Sequence, residues 1–365
     1  MADKKNFLVG FKNKIKNFDF YKNSKLTFLI PLIVILVMLI CGTCYQLDKS
    51  GHDKFANIGV DFQGGSLLTV EFSEAGMNSG AKYNENLAMI EKVLEDNGVK
   101  LAASQSSGDS SIIVRYLNTA VLVDGVLVDY STDDKVAEMN ALNEEIRNDI
   151  ETATAEKYGD TVTVKSTTTL IGNSASMRLL RTALISVAVA LALMLIYIII
   201  RFDFYSALAA IVALLHDIII MMSFTIIFYV EIGSTIVAAI ITIVAYSINN
   251  TIIVFDRIRS IIKPYKKTHE KYEVGEVINT AIIGTFTRTC YTTLTTLVVI
   301  AILAILGVAS IQTFALPILF GLIAGFYSSV FMAGPMWAIF KDWGGKIKLS
   351  YKNRKFKKQK RLKAA

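Results

Sequence analysis

The chain has 365 residues, 53% of them hydrophobic and only 19% charged, with a formal net charge of +7. A mean hydropathy of +0.47 argues against a large soluble core and for a polytopic membrane protein. Three cysteines are too few for a disulfide framework, and no Ser/His/Asp set, pair of intramembrane aspartates or metal-ligand cluster stands out, so neither an enzyme nor a cofactor or metal site is expected.

Residues 1–25 form a basic arm with seven lysines against Asp3 and Asp19. Residues 26–47 are a charge-free run of 22 residues, about 33 Å long as a helix, enough to cross a hydrocarbon core of about 30 Å. The run is too long for the apolar core of a signal peptide and no small-x-small cleavage pattern follows, so it reads as a retained first span. Cys41 and Cys44 lie inside it, where small residues at i and i+3 serve helix packing rather than redox chemistry.

Residues 48–177 reverse the charge, with 21 acids against 10 bases. "SLLTVEF" (66–72) alternates as a strand after a Gly-Gly turn, and "NLAMIEKVLEDNG" (86–98) has helical spacing with a glycine stop. "KLAASQ" and "SIIVRY" flank a Gly-Asp turn as a hairpin, residues 133–159 form a long helix, and "TVTVKSTTTL" (161–170) closes as a strand. The order β-α-β-β-α-β is that of a ferredoxin-like sandwich, with "VLVDGVLVDY" (121–130) as an inserted hairpin around Asp-Gly. His52 reads as an exposed loop residue rather than a ligand.

Residues 178–340 carry five further apolar runs, giving spans near 182–200, 205–229, 234–255, 281–307 and 315–340. The loop 256–288 has seven Lys/Arg against four acids, and the tail 341–365 has eleven against Asp342. The positive-inside rule then puts both termini and that loop in the cytosol and the acidic segment outside. The expected fold is a membrane α-helical protein: six transmembrane helices with one extracytoplasmic ferredoxin-like α+β domain inserted after the first. The tail reads as an orientation signal with attraction for anionic lipids, and nucleic acid is not an expected partner.

Two charges, Asp217 and Arg288, fall inside spans, where each costs at least ~2.5–3.5 kcal/mol at a helix centre. Helical spacing groups Thr285, Arg288, Thr289, Thr292, Thr295 and Thr296 on the fifth span, and Thr242, Tyr246, Asn249 and Asn250 on the fourth. The two stripes are expected to face each other, with Asn249 and Asn250 bonding Arg288 and the threonines. The competing reading is packing glue, at ~0.6 kcal/mol per bond, and for Asp217 a local bond to His216. Asp256 and Arg257 read as cytosolic boundary residues. Asp61, Gly64 and Gly65 read as a turn that joins the first span to the outer domain.

"GVDFQGGSLLTVEF" (59–72) resembles the G-x-D-F-x-G-G signature of the SecD/SecF family of protein-export subunits. "YIIIRFDFYSALAAIVALLHDIII" (197–220), "YSINNTIIVFDRIRS" (246–260) and "RTCYTTLTTLVVI" (288–300) resemble, in order, the later motifs of its SecF branch. The resemblance covers about residues 20–340. It implies pairing with SecD into a twelve-span unit related to the RND transporters. That unit acts beside the SecYEG channel, with a YidC-type insertase as a further neighbour, and draws on the proton or sodium gradient to assist export of unfolded polypeptide. The family's usual N-D-T is N-N-T here, with Asn250 at the position of a candidate proton carrier. By this reading Arg288 is a fixed positive centre and the titrating carboxylate is Asp217 or one from SecD. SecD is favoured because the helix neighbours Ala210, Ala213 and Ile220 give Asp217 no polar stripe. The alternatives are an RND-type exporter acting as a homodimer and an uncoupled docking subunit.

Overall fold

The computed structural model describes residues 19–47, 55–107, 110–117, 121–123, 126–128, 130, 135–305 and 309–344; His52 and most of both basic arms lie outside them. The first span is α1 (Ser24–Leu47). A single turn, α2 (Val60–Gln63), ends at Gly64, whose φ of +77° suits a residue without a Cβ, and the chain enters β1 (Gly65–Phe72). Then follow α3 (Gly80–Asp96), β2 (Leu101–Ser107), β3 (Ser111–Leu117), the hairpin β4 (Val121–Val123) and β5 (Val126–Val128), α4 (Val136–Tyr158) and β6 (Val164–Ile171).

The four long strands form one antiparallel sheet in the order β2-β3-β1-β6, with β1 and β3 central. This is the ferredoxin-like arrangement expected from the sequence, and β4–β5 is the inserted hairpin. Alternation along the strands makes the core: Leu68, Val70 and Phe72 of β1 and Ile112, Val114 and Tyr116 of β3 are buried against Ile90 and Leu94 of α3 and Met139, Ile146 and Ile150 of α4. Each such side chain contributes roughly 1.5–3 kcal/mol by leaving water. A polar group enters this core between β1, β3 and α4, and it is satisfied. Tyr116 Oη donates to Asn143 Oδ1 at 2.6 Å and Asn143 Nδ2 donates to Ser66 Oγ at 3.2 Å, while burial pushes the Tyr116 hydroxyl pKa up.

The remaining spans are α5 (Asn173–Arg201), α6 (Phe204–Ile227), α7 (Thr235–Thr268) and α8 (Val274–Ile305). The sixth, Ile311–Gly344, consists of α9 (Ala309–Tyr327), a π-helical turn over Ser328–Met332 and α10 over 333–344. All six are long and apolar enough to cross a membrane. The sixth span is the centre of the bundle and α5 its rim, with 56% and 6% of their apolar windows buried. Close approach rests on small residues. Ala207, Ala209, Ala210 and Ala213 line the buried side of α6. Gly321 and Gly325, a G-x-x-x-G pair, let α9 lie against α7, where an added Cβ would meet Ile243 at 2.5 Å and Ser247 at 3.0 Å.

The helices overrun the apolar runs that marked them. α7 continues thirteen residues past Phe255 and α8 starts at Val274, so the expected loop 256–288 shrinks to residues 269–273. Hydropathy marks where lipid ends, not where the helix ends. Arg257, Arg259 and Lys263 are good helix formers and prolong the helix beyond the apolar run readily.

Candidate functional site

Asp217 lies midway along α6 and is fully buried. Its carboxylate is enclosed by three spans. Ser247 Oγ of α7 and Ser328 Oγ of the π turn (2.9 Å) donate to Oδ2, while His216 Nδ1 contacts Oδ1 at 2.9 Å. The π turn is what brings Ser328 here. One extra residue in the turn rotates the Ser328-Ser329 pair inward, and such turns recur at functional sites. Ser329 Oγ meets Thr251 Oγ1 at 3.0 Å, which extends the cluster one turn along α7. His216 stacks on Tyr327 at 6.1 Å, and its Nε2 has no partner among the described residues.

This overturns the ground for discounting Asp217. Its polar neighbours come from other helices, not from its own. Ser247 and Thr251 were legible in principle, because they stand at −3 and +1 from Asn250 on one face of α7. Ser328 and Ser329 were not, since no sequence periodicity reports a π turn.

The fourth-span stripe also divides. Successive helical residues diverge by about 100°, and the buried sector of α7 that takes in Ser247, Asn250 and Thr251 leaves Asn249 outside it. Asn250 points inward with Ser247, Thr251 and Val254, whereas Asn249 points outward with Thr242 and Ala245. Asn250 Nδ2 donates to Thr293 Oγ1 of α8 at 3.3 Å, a residue left out of the expected stripe. The inward face of α8 is Thr285, Thr289 and Thr293, at i, i+4 and i+8. The carbonyl oxygen of Asn250 and the hydroxyl of Thr289 are buried without a partner among the described residues. Tyr246 Oη donates to the Thr292 carbonyl at 2.7 Å, and the Thr292 hydroxyl returns to the Arg288 carbonyl at 3.0 Å.

The expected bond between the amides and Arg288 is therefore not made. Arg288 is on the exposed side of α8 with Tyr291 and Thr295, and its guanidinium pairs with no described residue. Asn279, nine residues before Arg288 on α8, accepts from the Phe20 amide at 2.9 Å and donates to Asp19 at 2.9 Å, which ties the segment just before α1 to α8 and holds the Asp19 carboxyl below its ordinary pKa. Arg288 falls within the fifth candidate span, Val274–Ile305. Arg257 of α7 sits one turn back along α8 from Arg288, where its Nε would be 3.3 Å from a Cβ added at Gly284. Asp256 pairs with Arg201 at 3.7 Å, both half-exposed.

At the opposite end, the turn of Asp61, Gly64 and Gly65 is a joint. Asp61 Oδ2 accepts the Ser234 amide at 2.8 Å, immediately before α7. Residues 57–59 pair with Ile232 through Gly59 N–H to Ile232 O (3.1 Å) and Ile232 N–H to Asn57 O (2.7 Å). Gly65 sits where a Cβ would be 2.6 Å from the Tyr116 carbonyl. From the sheet, Arg115 of β3 forms an ion pair with Glu231 at 3.3 Å, both nearly buried. Burial raises the Glu231 pKa, Arg115 opposes that rise, and Asp61 adds to it. The sequence reading did not single out Arg115 or Glu231 for this role.

Residues 127–343 match the family described as "Protein export membrane protein SecD/SecF, C-terminal". The chain is similar to the protein translocase subunit SecF of Acidaminococcus fermentans, with 32% identity over 90% of this chain and 98% of that one. It is also similar to the protein translocase subunit SecDF of Bacillus subtilis, with 29% identity over 89% of this chain but 38% of that longer one. Among solved structures, SecDF of Thermus thermophilus, titled a translocon-associated membrane protein, superposes with a TM-score of 0.61 at 25% identity, covering 89% of this chain and 39% of that one.

Proposed function

Because the chain belongs to the SecD/SecF family of protein-export membrane proteins, on the SecF side of it, we propose that it assists export with Asp217 as its own ion-coupling group and Arg288 as its contact with SecD. The chain is a multi-pass membrane subunit whose relatives are named for translocation rather than for an enzymatic reaction. Association with SecD follows from relatives in which both halves form one chain. The SecYEG channel and a YidC-type insertase are proposed neighbours, and the orientation is proposed with both termini cytosolic and the sheet domain outside.

One observation carries this reading: a carboxylate at mid-helix that accepts hydroxyls from two other spans and contacts the His216 ring of its own. Ionised, Asp217 draws Ser247 and Ser328 toward it as donors. Once it binds a proton from the gradient, those hydroxyls are freed to bond elsewhere. A π turn is a natural element for that change, because it can exchange one extra residue for regular helix. Asn250, where the family pattern has a carboxylate, stays polar and packs against Thr293 without titrating. Arg288, within the fifth span and without a partner among the described residues, needs a carboxylate from outside the chain. An isolated cation in hydrocarbon is costly, and such groups pair in assembled bundles.

Reconstituting the SecD-paired chain in proteoliposomes tests this. Asp217→Asn is expected to abolish the stimulation of export by an imposed proton or sodium gradient while leaving ATP-driven export intact. Full stimulation in that variant would remove Asp217 from the mechanism and leave the uncoupled docking subunit as the better account.

A further inference from the structure

A cavity of about 800 Å³ opens where α5 meets α6, bounded by the protruding part of α7 and the last turns of α10. Phe255, Ile262 and Trp337 form an apolar floor, and Arg201, Arg259, Lys263, Lys266, Lys267 and Lys341 form a basic rim. Among the described residues the carboxylates lining it are Asp203 and Asp256, and both are already engaged. Asp203 accepts from Ser206 Oγ at 2.6 Å and from Trp337 Nε1 at 3.4 Å, and Asp256 pairs with Arg201. Arg259, Lys263, Lys266 and Lys267 fall at i, i+4, i+7 and i+8, one stripe of α7, and none of the three lysines forms an ion pair with a described residue.

Like charges at three- and four-residue spacing repel. The C-terminal helix dipole favours Lys266 and Lys267, but it does not reach Arg259 or explain the apolar floor. A positive-inside signal requires cations only and needs no cavity. The cavity also sits at the slab edge, beside the last residue of α5, with Lys341 over the rings of Tyr272 (4.4 Å) and Trp337 (4.6 Å). Such a two-sided lining suits a ligand that is anionic at one end and apolar at the other.

We propose that this cavity binds an anionic phospholipid, its phosphate on the stripe of Arg259, Lys263, Lys266 and Lys267 and its glycerol end on the Trp337 floor. The site is distinct from the basic tail and does not depend on the ion-coupling reading. The test uses the full chain carrying Trp343→Phe, leaving Trp337 as the fluorescent reporter, in phosphatidylcholine bilayers titrated with spin-labelled phosphatidylglycerol. Trp337 quenching by phosphatidylglycerol is expected to exceed that by equally labelled phosphatidylcholine. Replacing Lys263, Lys266 and Lys267 together by Gln should weaken that preference on the order of a hundredfold. The corresponding triple Arg variant should retain it, and Gln at Lys357, Lys358 and Lys360 in the tail should barely alter it. Equal quenching by both lipids, or equal loss from the tail variant, would overturn the proposal in favour of general surface charge. Displacement of the lipid by millimolar glycerol phosphate or inorganic phosphate would overturn it in favour of a soluble anion. Should the Gln variant fail to fold, the wild-type lipid comparison, the Arg variant and the displacement arm still decide.

Discussion

Two charges fall within candidate membrane spans and are treated in opposite ways. Asp217 is enclosed, with its hydrogen-bonding capacity met by Ser247, Ser328 and His216 of the same chain. Arg288 is turned outward beside Tyr291 and Thr295. Since intramembrane charges pair in assembled bundles, the proposed reading makes the enclosed one a site complete within the subunit and the open one a surface for another chain.

The comparison separates two phenotypes. The largest effects are expected at its two poles. Asp217→Asn should lower gradient-driven export on the order of a hundredfold, as loss of a proton-transfer group does, while SecD still co-purifies. Arg288→Met should leave a partner carboxylate buried and unpaired, at roughly 3–5 kcal/mol, so that SecD is lost on detergent extraction; Arg288→Lys should restore part of it. If both variants behave alike, the distinction between an internal site and an interface fails.

Next come Ser247→Ala and Ser328→Ala. Each removes a hydrogen bond to a charged group, worth about 1.5–3 kcal/mol, readable as a lower Tm. The two losses should be non-additive because both hydroxyls serve one carboxylate oxygen. Smaller still is the pH effect at the outer joint. The raised pKa of Glu231 means that the folded protein binds this proton more tightly than the unfolded chain does. Stability from this group is therefore present below its ordinary value of 4.5 and lost as pH rises through the higher folded value. Glu231→Gln should flatten Tm across that window, measured by thermal unfolding from pH 4 upward. The smallest effect is at the half-exposed pair of Arg201 and Asp256, where Asp256→Ala should cost under about 1 kcal/mol.

Legibility followed the same divide between local and cross-helix information. The sheet domain was readable because period-2 and period-3.6 patterns are local, and the six spans were readable from hydropathy. The inward set of the bundle was not. Asn249 and Asn250 look like one polar feature in sequence, yet the step of 100° between them leaves Asn250 buried and Asn249 exposed. Thr293 was passed over for Thr292, the same error by one residue. Ser328 reaches Asp217 only because the sixth span is wound irregularly for five residues and because Gly325 admits Ser247 alongside. Arg115 and Glu231 are more than a hundred positions apart, and nothing local couples them.

The uninterrupted length of α7 has a mechanical consequence. Ser234, whose amide is held by Asp61, precedes its first residue; Ser247 and Asn250 lie along it; Lys263, Lys266 and Lys267 are near its far end. With 34 residues, it is about 51 Å long and exceeds the hydrocarbon core by about 20 Å. A tilt of roughly 10° about Asn250 would carry Thr268 through about 5 Å. A rigid helix of this length would act as a lever: a small rotation beside the buried carboxylate becomes displacements of several ångströms at its ends, one of which bonds the Asp61 turn of the sheet domain.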